Sequence, residues 1–150
     1  MCVLLSALAI GKSAEENSTD NAGYLKDLQS SKNLIVYVSP KQNRIFAYSA
    51  VTGDSWKLDL DGKLDQKIPP VVSENLAVVA TTESVFAFSA RNAVWVRLPV
   101  ATTGPIKEMR IVNDVAQIAF GKEAWFFSAQ ANRWSGLSLP DGMPCEVEEI

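Results

Sequence analysis

The sequence predicts an all-β protein built from three similar four-stranded antiparallel sheets. One stretch of sequence recurs three times, at 45–60, 85–100 and 124–139. Each copy contains a Ser-Ala pair followed by a tryptophan, and successive tryptophans are 39 residues apart. A fixed period of about 40 residues is typical of architectures in which each repeat is one supersecondary unit. The recurring residues are Ser49-Ala50, Ser89-Ala90, Ser128-Ala129, Trp56, Trp95 and Trp134.

Each repeat contains four short runs of β-branched and aromatic residues, separated by Asn, Asp, Gly and Ser, which are turn formers. In the third repeat the turns fall at Asn113-Asp114 and Gly121-Lys122. For residues 24–28 a helical turn is the alternative to a strand. The predicted strands are 25–30, 34–38, 44–50 and 55–60 in the first repeat, 70–73, 76–81, 84–90 and 94–100 in the second, and 107–112, 115–120, 124–129 and 134–139 in the third.

Several of these runs are apolar on both faces, as in residues 45–48 and 85–88. Such strands are typical of sheets that are covered on both sides. Four antiparallel strands in a repeat of about 40 residues, stacked on the next repeat, form the blade of a β-propeller. The sequence therefore predicts a propeller-type fold with three blades, a half-propeller or partial ring, at 24–62, 67–101 and 106–140.

The repeats resemble those of the kelch family. In kelch repeats an aromatic residue is followed seven positions later by tryptophan, and Phe88 with Trp95 and Phe127 with Trp134 match this spacing. Tyr48 and Trp56 are one residue further apart. A leucine follows each tryptophan, and the glycine pair of kelch repeats is replaced by other residues. The resemblance covers residues 24–140 and implies a propeller; the leucines are Leu58, Leu98 and Leu137.

The repeated tryptophans have two possible roles, packing between blades or stacking on sugar rings. Their recurrence at one position of the repeat favours packing, because the residues that define a repeat usually build the shared core. Trp125 stands where the other repeats have Phe46 and Phe86, and we expect it in the core as well.

Three blades are too few for a closed ring, since propellers close with four to eight. Two apolar blade faces would be left uncovered, and exposed faces of that size mark interfaces. A twofold dimer that forms a six-bladed ring is the simplest solution, because C2 is the commonest symmetry of oligomers. The alternatives are an open arc capped by the N-terminal segment, and blades supplied by the rest of a longer chain or by another propeller-containing protein.

The composition excludes several kinds of chemistry. The chain has no histidine, which rules out Ser-His-Asp and Cys-His mechanisms and His-ligated metals. Its net charge of −3 and scattered basic residues argue against nucleic-acid and membrane-surface binding. Cys2 and Cys145 are too far apart in sequence to suggest a zinc site. Residues 59–65 superficially resemble a calcium loop but lack its spacing. We predict no cofactor and no metal.

The two ends of the chain differ from the repeats. The apolar residues 1–10 resemble a short signal peptide without its usual basic start, and the alternatives are a buried strand or a truncated gene start. Ten residues are too few to span a bilayer. The polar residues 11–23 are predicted to be a flexible linker, and 141–150 an acidic tail that could instead add a strand to a blade edge. The expected location is outside the cytoplasm, secreted or periplasmic.

Binding residues concentrate on loops that a rigid scaffold holds in place. The loops that join second to third strands and one blade to the next are predicted to share one face. We therefore expect a non-catalytic exported module that binds a protein or a glycan. The alternatives are a hydrolase or lyase acting on polysaccharides with Asp and Glu at the channel mouth, and a structural half-propeller of a hetero-complex. The candidate binding residues are Lys41, Arg44, Glu83, Lys122, Glu123, Asp65 and Lys107.

Overall fold

The computed structural model describes residues 28–39, 43–60, 62–64, 68–99 and 105–145, and these form an all-β fold of twelve strands. The predictions for residues 1–10 and 11–23, and for Lys41 and Asp65, lie outside the described residues. No helix in the described part of the chain is long and apolar enough to cross a membrane. The strands are β1 (Leu28–Ser30), β2 (Leu34–Ser39), β3 (Arg44–Ser49), β4 (Ser55–Asp59), β5 (Val71–Val72), β6 (Leu76–Ala80), β7 (Val85–Ser89), β8 (Trp95–Arg97), β9 (Ile106–Val112), β10 (Val115–Phe120), β11 (Glu123–Ser128) and β12 (Arg133–Ser138).

The strands form three four-stranded antiparallel sheets, each following the order of the chain. Blade 1 is β1 to β4, blade 2 is β5 to β8 and blade 3 is β9 to β12. The prediction of three four-stranded blades in a propeller-type fold is confirmed. Neighbouring strands are joined by hairpins, so all pairing is local in sequence. The outer strands of blade 2 are shorter than predicted, with β5 covering two residues and β8 three.

The blades stack through two apolar layers. Because successive residues of a strand point to opposite faces, each blade has a leading face, toward the blade before it, and a trailing face, toward the blade after it. Val36 and Ile45 on the trailing face of blade 1 pack in one cluster with Phe86 and Phe88 on the leading face of blade 2. The second layer joins blades 2 and 3 in the same way, with Trp125 at its centre. Blade 2, which is covered on both faces, has a continuously buried β6 and β7.

Trp125 lies in the core as expected and is fully buried. Its partner across the β11–β12 ladder is Gly136. The corresponding pairs are Phe46 with Lys57 in blade 1 and Phe86 with Arg97 in blade 2. The larger indole of blade 3 is therefore matched by a residue without a side chain.

The prediction that Trp56 packs at the same position as the other two tryptophans is wrong. Trp95 pairs with Phe88 and Trp134 with Phe127, and their rings contact at centroid distances of 5.1 and 5.2 Å. Trp56 instead pairs with Ala47. The β3–β4 hairpin has the same register as the other two, since Tyr48 pairs with Ser55 just as Phe88 pairs with Trp95. Trp56 stands one residue further along β4, and successive residues of a strand point to opposite faces. Trp56 is 52% exposed, whereas Trp134 is 7% exposed.

The C-terminal segment begins by pairing with the edge of blade 3. Pro144 forms an isolated bridge with Leu137, and the Cys145 amide donates to the carbonyl of Gly136 at 2.9 Å. Part of the segment predicted as a tail thus lies along β12. Residues 146–150 are outside the described part of the chain.

Candidate interaction surfaces

The repeated Ser-Ala pair joins each blade to the next. Ser49 Oγ donates to the carbonyl of Ala90, and Ser89 Oγ donates to the carbonyl of Ala129 at 2.7 Å. Both serines are fully buried. The alanine carbonyl of one blade is therefore the acceptor for the serine of the blade before it. The bond explains why the serine recurs. The alanine contributes only its backbone carbonyl, and Ala90 and Ala129 are both buried.

The tryptophans make a second set of bonds between blades. Trp95 Nε1 donates to the carbonyl of Trp56 at 3.2 Å, and Trp134 Nε1 donates to the carbonyl of Val96 at 3.1 Å. Trp56 and Val96 hold the same register position, opposite Ala47 and Ala87. The backbone of Trp56 thus takes part in the repeat, although its side chain does not.

A third set of bonds runs across the turns between the first and second strands. Asn33 Nδ2 donates to Asn75 Oδ1 at 2.6 Å, and Asn75 Nδ2 donates to Asp114 Oδ1 at 3.2 Å. Beside them, Lys32 Nζ lies 3.4 Å from Glu74 Oε1. Sequence analysis did not identify this ladder, although Asn33, Asn75 and Asp114 hold the same place in each repeat.

The leading face of blade 1 is not covered by another described blade. It is formed by Ile35 and Tyr37 on β2, which pair with Tyr48 and Phe46 on β3. Phe46 is 39% exposed, whereas its counterparts Phe86 and Trp125 are 5% and 0% exposed. The side chain at this position is thus buried in each blade that packs against a preceding blade. Two tyrosines on this face replace purely apolar residues, because Val79 and Phe88 hold their places in blade 2.

The trailing face of blade 3 is the other end of the stack. It carries an open groove of about 200 Å³ that is floored by Ala119, Ala124 and Phe126. Polar side chains form its wall. Arg110 Nε donates to Gln117 Oε1 at 2.8 Å, and Arg110 Nη1 lies 3.3 Å from Glu108 Oε1. In blade 2 the position of Gln117 is held by the buried Val78.

Five of the seven candidate loop residues lie in the described part of the chain. Arg44 begins β3, and its Nε lies 2.6 Å from Asp59 Oδ1. Glu83 is exposed in the β6–β7 turn and Lys122 in the β10–β11 turn. Glu123 accepts a hydrogen bond from Trp125 Nε1 at 2.9 Å, and Lys107 Nζ donates to the Gly121 carbonyl at 3.0 Å.

Lys107, Lys122 and Glu123 thus lie at one end of the strands of blade 3, near the β10–β11 turn. Arg44 and Glu83 lie at the corresponding strand ends of blades 1 and 2. None of these contacts joins one blade to another. The end-face residues were missed as candidates, although Tyr37 and Gln117 depart visibly from the apolar pattern of the other repeats.

The chemistry available in the described residues is limited. No group of three or more Cys, Asp and Glu side chains is placed to hold a metal ion there. Cys145 is a free, partly buried thiol. Burial, and to a lesser extent the Glu123 carboxylate, raise its pKa above the usual value, so it is less readily ionised.

No family model matches the chain, and no curated protein is detectably similar to it in sequence. Several solved structures are similar in backbone. The N-terminal domain of Nup159 is 9% identical, with a TM-score of 0.42, and the match covers 79% of this chain and 42% of that one. A segment of HIRA is 9% identical, with a TM-score of 0.46, covering 74% and 38%. Hsv2 from Kluyveromyces lactis is 13% identical, with a TM-score of 0.36, covering 75% and 52%. The chain thus spans about half or less of these structures.

Proposed function

We propose that this chain is a non-catalytic binding module that recognises a protein through the open faces of its two end blades. The observation that carries the proposal is the exposure of Phe46, a position that is buried in both other blades. A whole sheet face with aromatic and polar residues is better suited to pack on the surface of another folded protein than to bind a small molecule. Aromatic residues are also enriched in protein interfaces. Candidate partners are a second copy of the chain and a different propeller-containing protein.

Photo-cross-linking tests this proposal. A photoreactive phenylalanine analogue at position 46, introduced in the source organism, should give a defined protein adduct. The same analogue at Thr82 is the control, because Thr82 is exposed in the β6–β7 turn of blade 2 and lies on neither end face. A similar adduct pattern at both positions, or no adduct at 46, would refute binding through this face.

Export of the module to the periplasm or the cell exterior belongs to the same proposal. It is suggested by the apolar start of the sequence. Intact-mass measurement of the protein from its source decides it, since a chain that retains Met1 and is found in the cytoplasm would contradict export.

A glycan is the second candidate ligand, and the exposed indole of Trp56 favours it. Aromatic rings with one accessible side are suited to stack on sugars, and the position of Trp56 opposite Ala47 on β4 leaves this ring half exposed. A glycan array with the wild type and the Trp56→Ala variant tests it. Binding that is equal in the two proteins would exclude this ring as the sugar site.

A further inference from the structure

We propose that the protein partner is a second copy of this chain, with the leading face of blade 1 packed on the trailing face of blade 3 of the other copy. This inference rests on the proposed function above, because it names the partner of the same open faces. Two such contacts in a dimer would close a ring of six blades.

The contact would continue the interface that the chain already uses twice. Ser49 and Ser89 each accept a hydrogen bond from the amide two residues later and donate to an alanine carbonyl of the next blade. Ser128 Oγ accepts from the Ala131 amide in a similar way. Among the described residues, the Ser128 hydroxyl donates no hydrogen bond. In blade 1 of a second copy, the equivalent acceptor is the carbonyl of Ala50.

The two end faces also depart from the repeat in matching ways. In the interior, Val36 and Val78 on trailing faces meet leading faces that carry Val79 and Ile118. At the ends of the stack, the position of the valines is held by Gln117 and that of the facing residues by Tyr37. A phenol hydroxyl and an amide can hydrogen-bond to each other, whereas either one against an apolar face would be costly to bury.

The turns at the two ends of the stack are complementary in charge. Asp114 ends the Asn33–Asn75–Asp114 ladder of hydrogen bonds with a carboxylate, which only accepts. The next position of the ladder in a second copy is Asn33. The bond there would run opposite to those inside the chain, with Asn33 donating to Asp114 the N–H hydrogen that its bond to Asn75 leaves over. Lys32 precedes Asn33 and adds a positive charge beside the Asp114 carboxylate. The two turns are therefore complementary in hydrogen bonding and in charge.

Polar end faces have a competing explanation. Terminal repeats of stacked proteins often carry polar outer faces that keep the end of the stack soluble. That explanation predicts a monomer, whereas ours predicts a dimer that depends on Phe46 and on the Ser128 hydroxyl. The mass of the purified protein in solution distinguishes these two explanations.

Sedimentation equilibrium over protein concentrations from about 1 to 100 μM covers the range of Kd that such a contact would give. We expect the wild type to approach twice 16.3 kDa and to go no higher. Phe46→Asp should be a folded monomer, checked by circular dichroism. Thr82→Asp, which adds the same charge in the exposed β6–β7 turn of blade 2, on neither end face, should remain a dimer.

Ser128→Ala is the milder variant and disturbs the fold least. Each dimer contains two of the proposed Ser128–Ala50 bonds, so the loss should raise Kd by about 10- to 100-fold. A wild type that is monomeric throughout, a mass that keeps growing with concentration, or a dimer that Phe46→Asp or Ser128→Ala leaves equally tight would each overturn the inference. A monomer that still cross-links to another protein through position 46 would leave the proposed function standing, whereas a monomer without any adduct would refute both.

Discussion

Gly136 is the position where the fit between neighbouring side chains can be tested most directly. A Cβ atom added to Gly136 would lie 2.6 Å from Cδ2 and Cε2 of Trp125 and 2.8 Å from its Cε3. Ordinary carbon–carbon contacts are about 3.5–4.0 Å. The alanine methyl would therefore overlap the face of the indole by about 1 Å. Trp125 is fully buried, so the ring cannot move into solvent.

We expect Gly136→Ala to destabilise the protein by about 1–3 kcal/mol, the usual cost of overpacking a well-filled core. In a protein of this size that lowers Tm by about 3–10 °C. Urea unfolding followed by circular dichroism measures the loss, which should appear as a lower midpoint at an unchanged m-value. Ser135→Ala, an exposed neighbour on β12, is the control and should change stability by less than about 0.5 kcal/mol.

A double-mutant cycle identifies the cause. In blades 1 and 2 a phenylalanine at the position of Trp125 faces a residue with a full side chain, Lys57 or Arg97. Trp125→Phe should therefore make room for the alanine methyl. We expect the double variant to be at least about 1 kcal/mol more stable than the sum of the single effects. Additive effects, or a Gly136→Ala variant as stable as the wild type, would refute the explanation by overlap with the indole.

Three further predictions concern the repeat and its thiol. Ser89→Ala leaves a buried carbonyl without its donor and should cost about 1–3 kcal/mol in urea unfolding, and no loss would show that the bond between blades contributes nothing. Trp134→Ala should cost about 3–5 kcal/mol because its indole is buried, whereas Trp56→Ala should cost about 0.5 kcal/mol or less; equal losses would contradict the exposed position of Trp56 on β4. Cys145, in a Cys2→Ser background, should be alkylated by iodoacetamide more slowly than a free cysteine at pH 8, with an apparent pKa above 9.0, because burial disfavours the thiolate. Since the unfolded thiol ionises more readily, stability should be unaffected by this group at neutral pH and should fall as the pH rises above 9.0.

The strands were predictable because their pairing is local. Each hairpin is set by a turn of Asn, Asp, Gly or Ser between two apolar runs, and the same four-strand unit occurs three times. Even a short turn such as Asn113-Asp114 is visible in the sequence, and the structure gives Asn113 a φ of 54°, which asparagine tolerates well. The bounds of β9 to β12 differ from the prediction by one residue at most.

Which face of a strand each side chain occupies was harder to predict, because it depends on the pairing within each hairpin. The sequence around Trp56 contains the same Ser-Ala and Trp residues as the other repeats, with the tryptophan one residue later. The added residue does not lengthen the turn, because Tyr48 pairs with Ser55 just as Phe88 pairs with Trp95. Ser55 therefore takes the face of the other tryptophans and Trp56 the opposite face. The candidate binding residues raise a different problem: loop position alone does not show which side chains converge.

The placement of Ser55 and Trp56 on opposite faces of β4 from those of the other repeats also affects how strong a contact between copies can be. Inside the chain, each leading face supplies an indole N–H to the blade before it, from Trp95 or Trp134. The leading face of blade 1 has Ser55 at that position, opposite Tyr48. A contact between blade 1 and blade 3 of another copy would keep the serine–alanine bond and lack the indole bond. Such a contact would be weaker than the two interior ones, so the copies should separate on dilution while each set of three blades stays folded. The serines and buried tryptophans that define the repeat hold the blades together, and in the proposed dimer the residues that depart from it, Tyr37 and Gln117, would lie in the contact between copies.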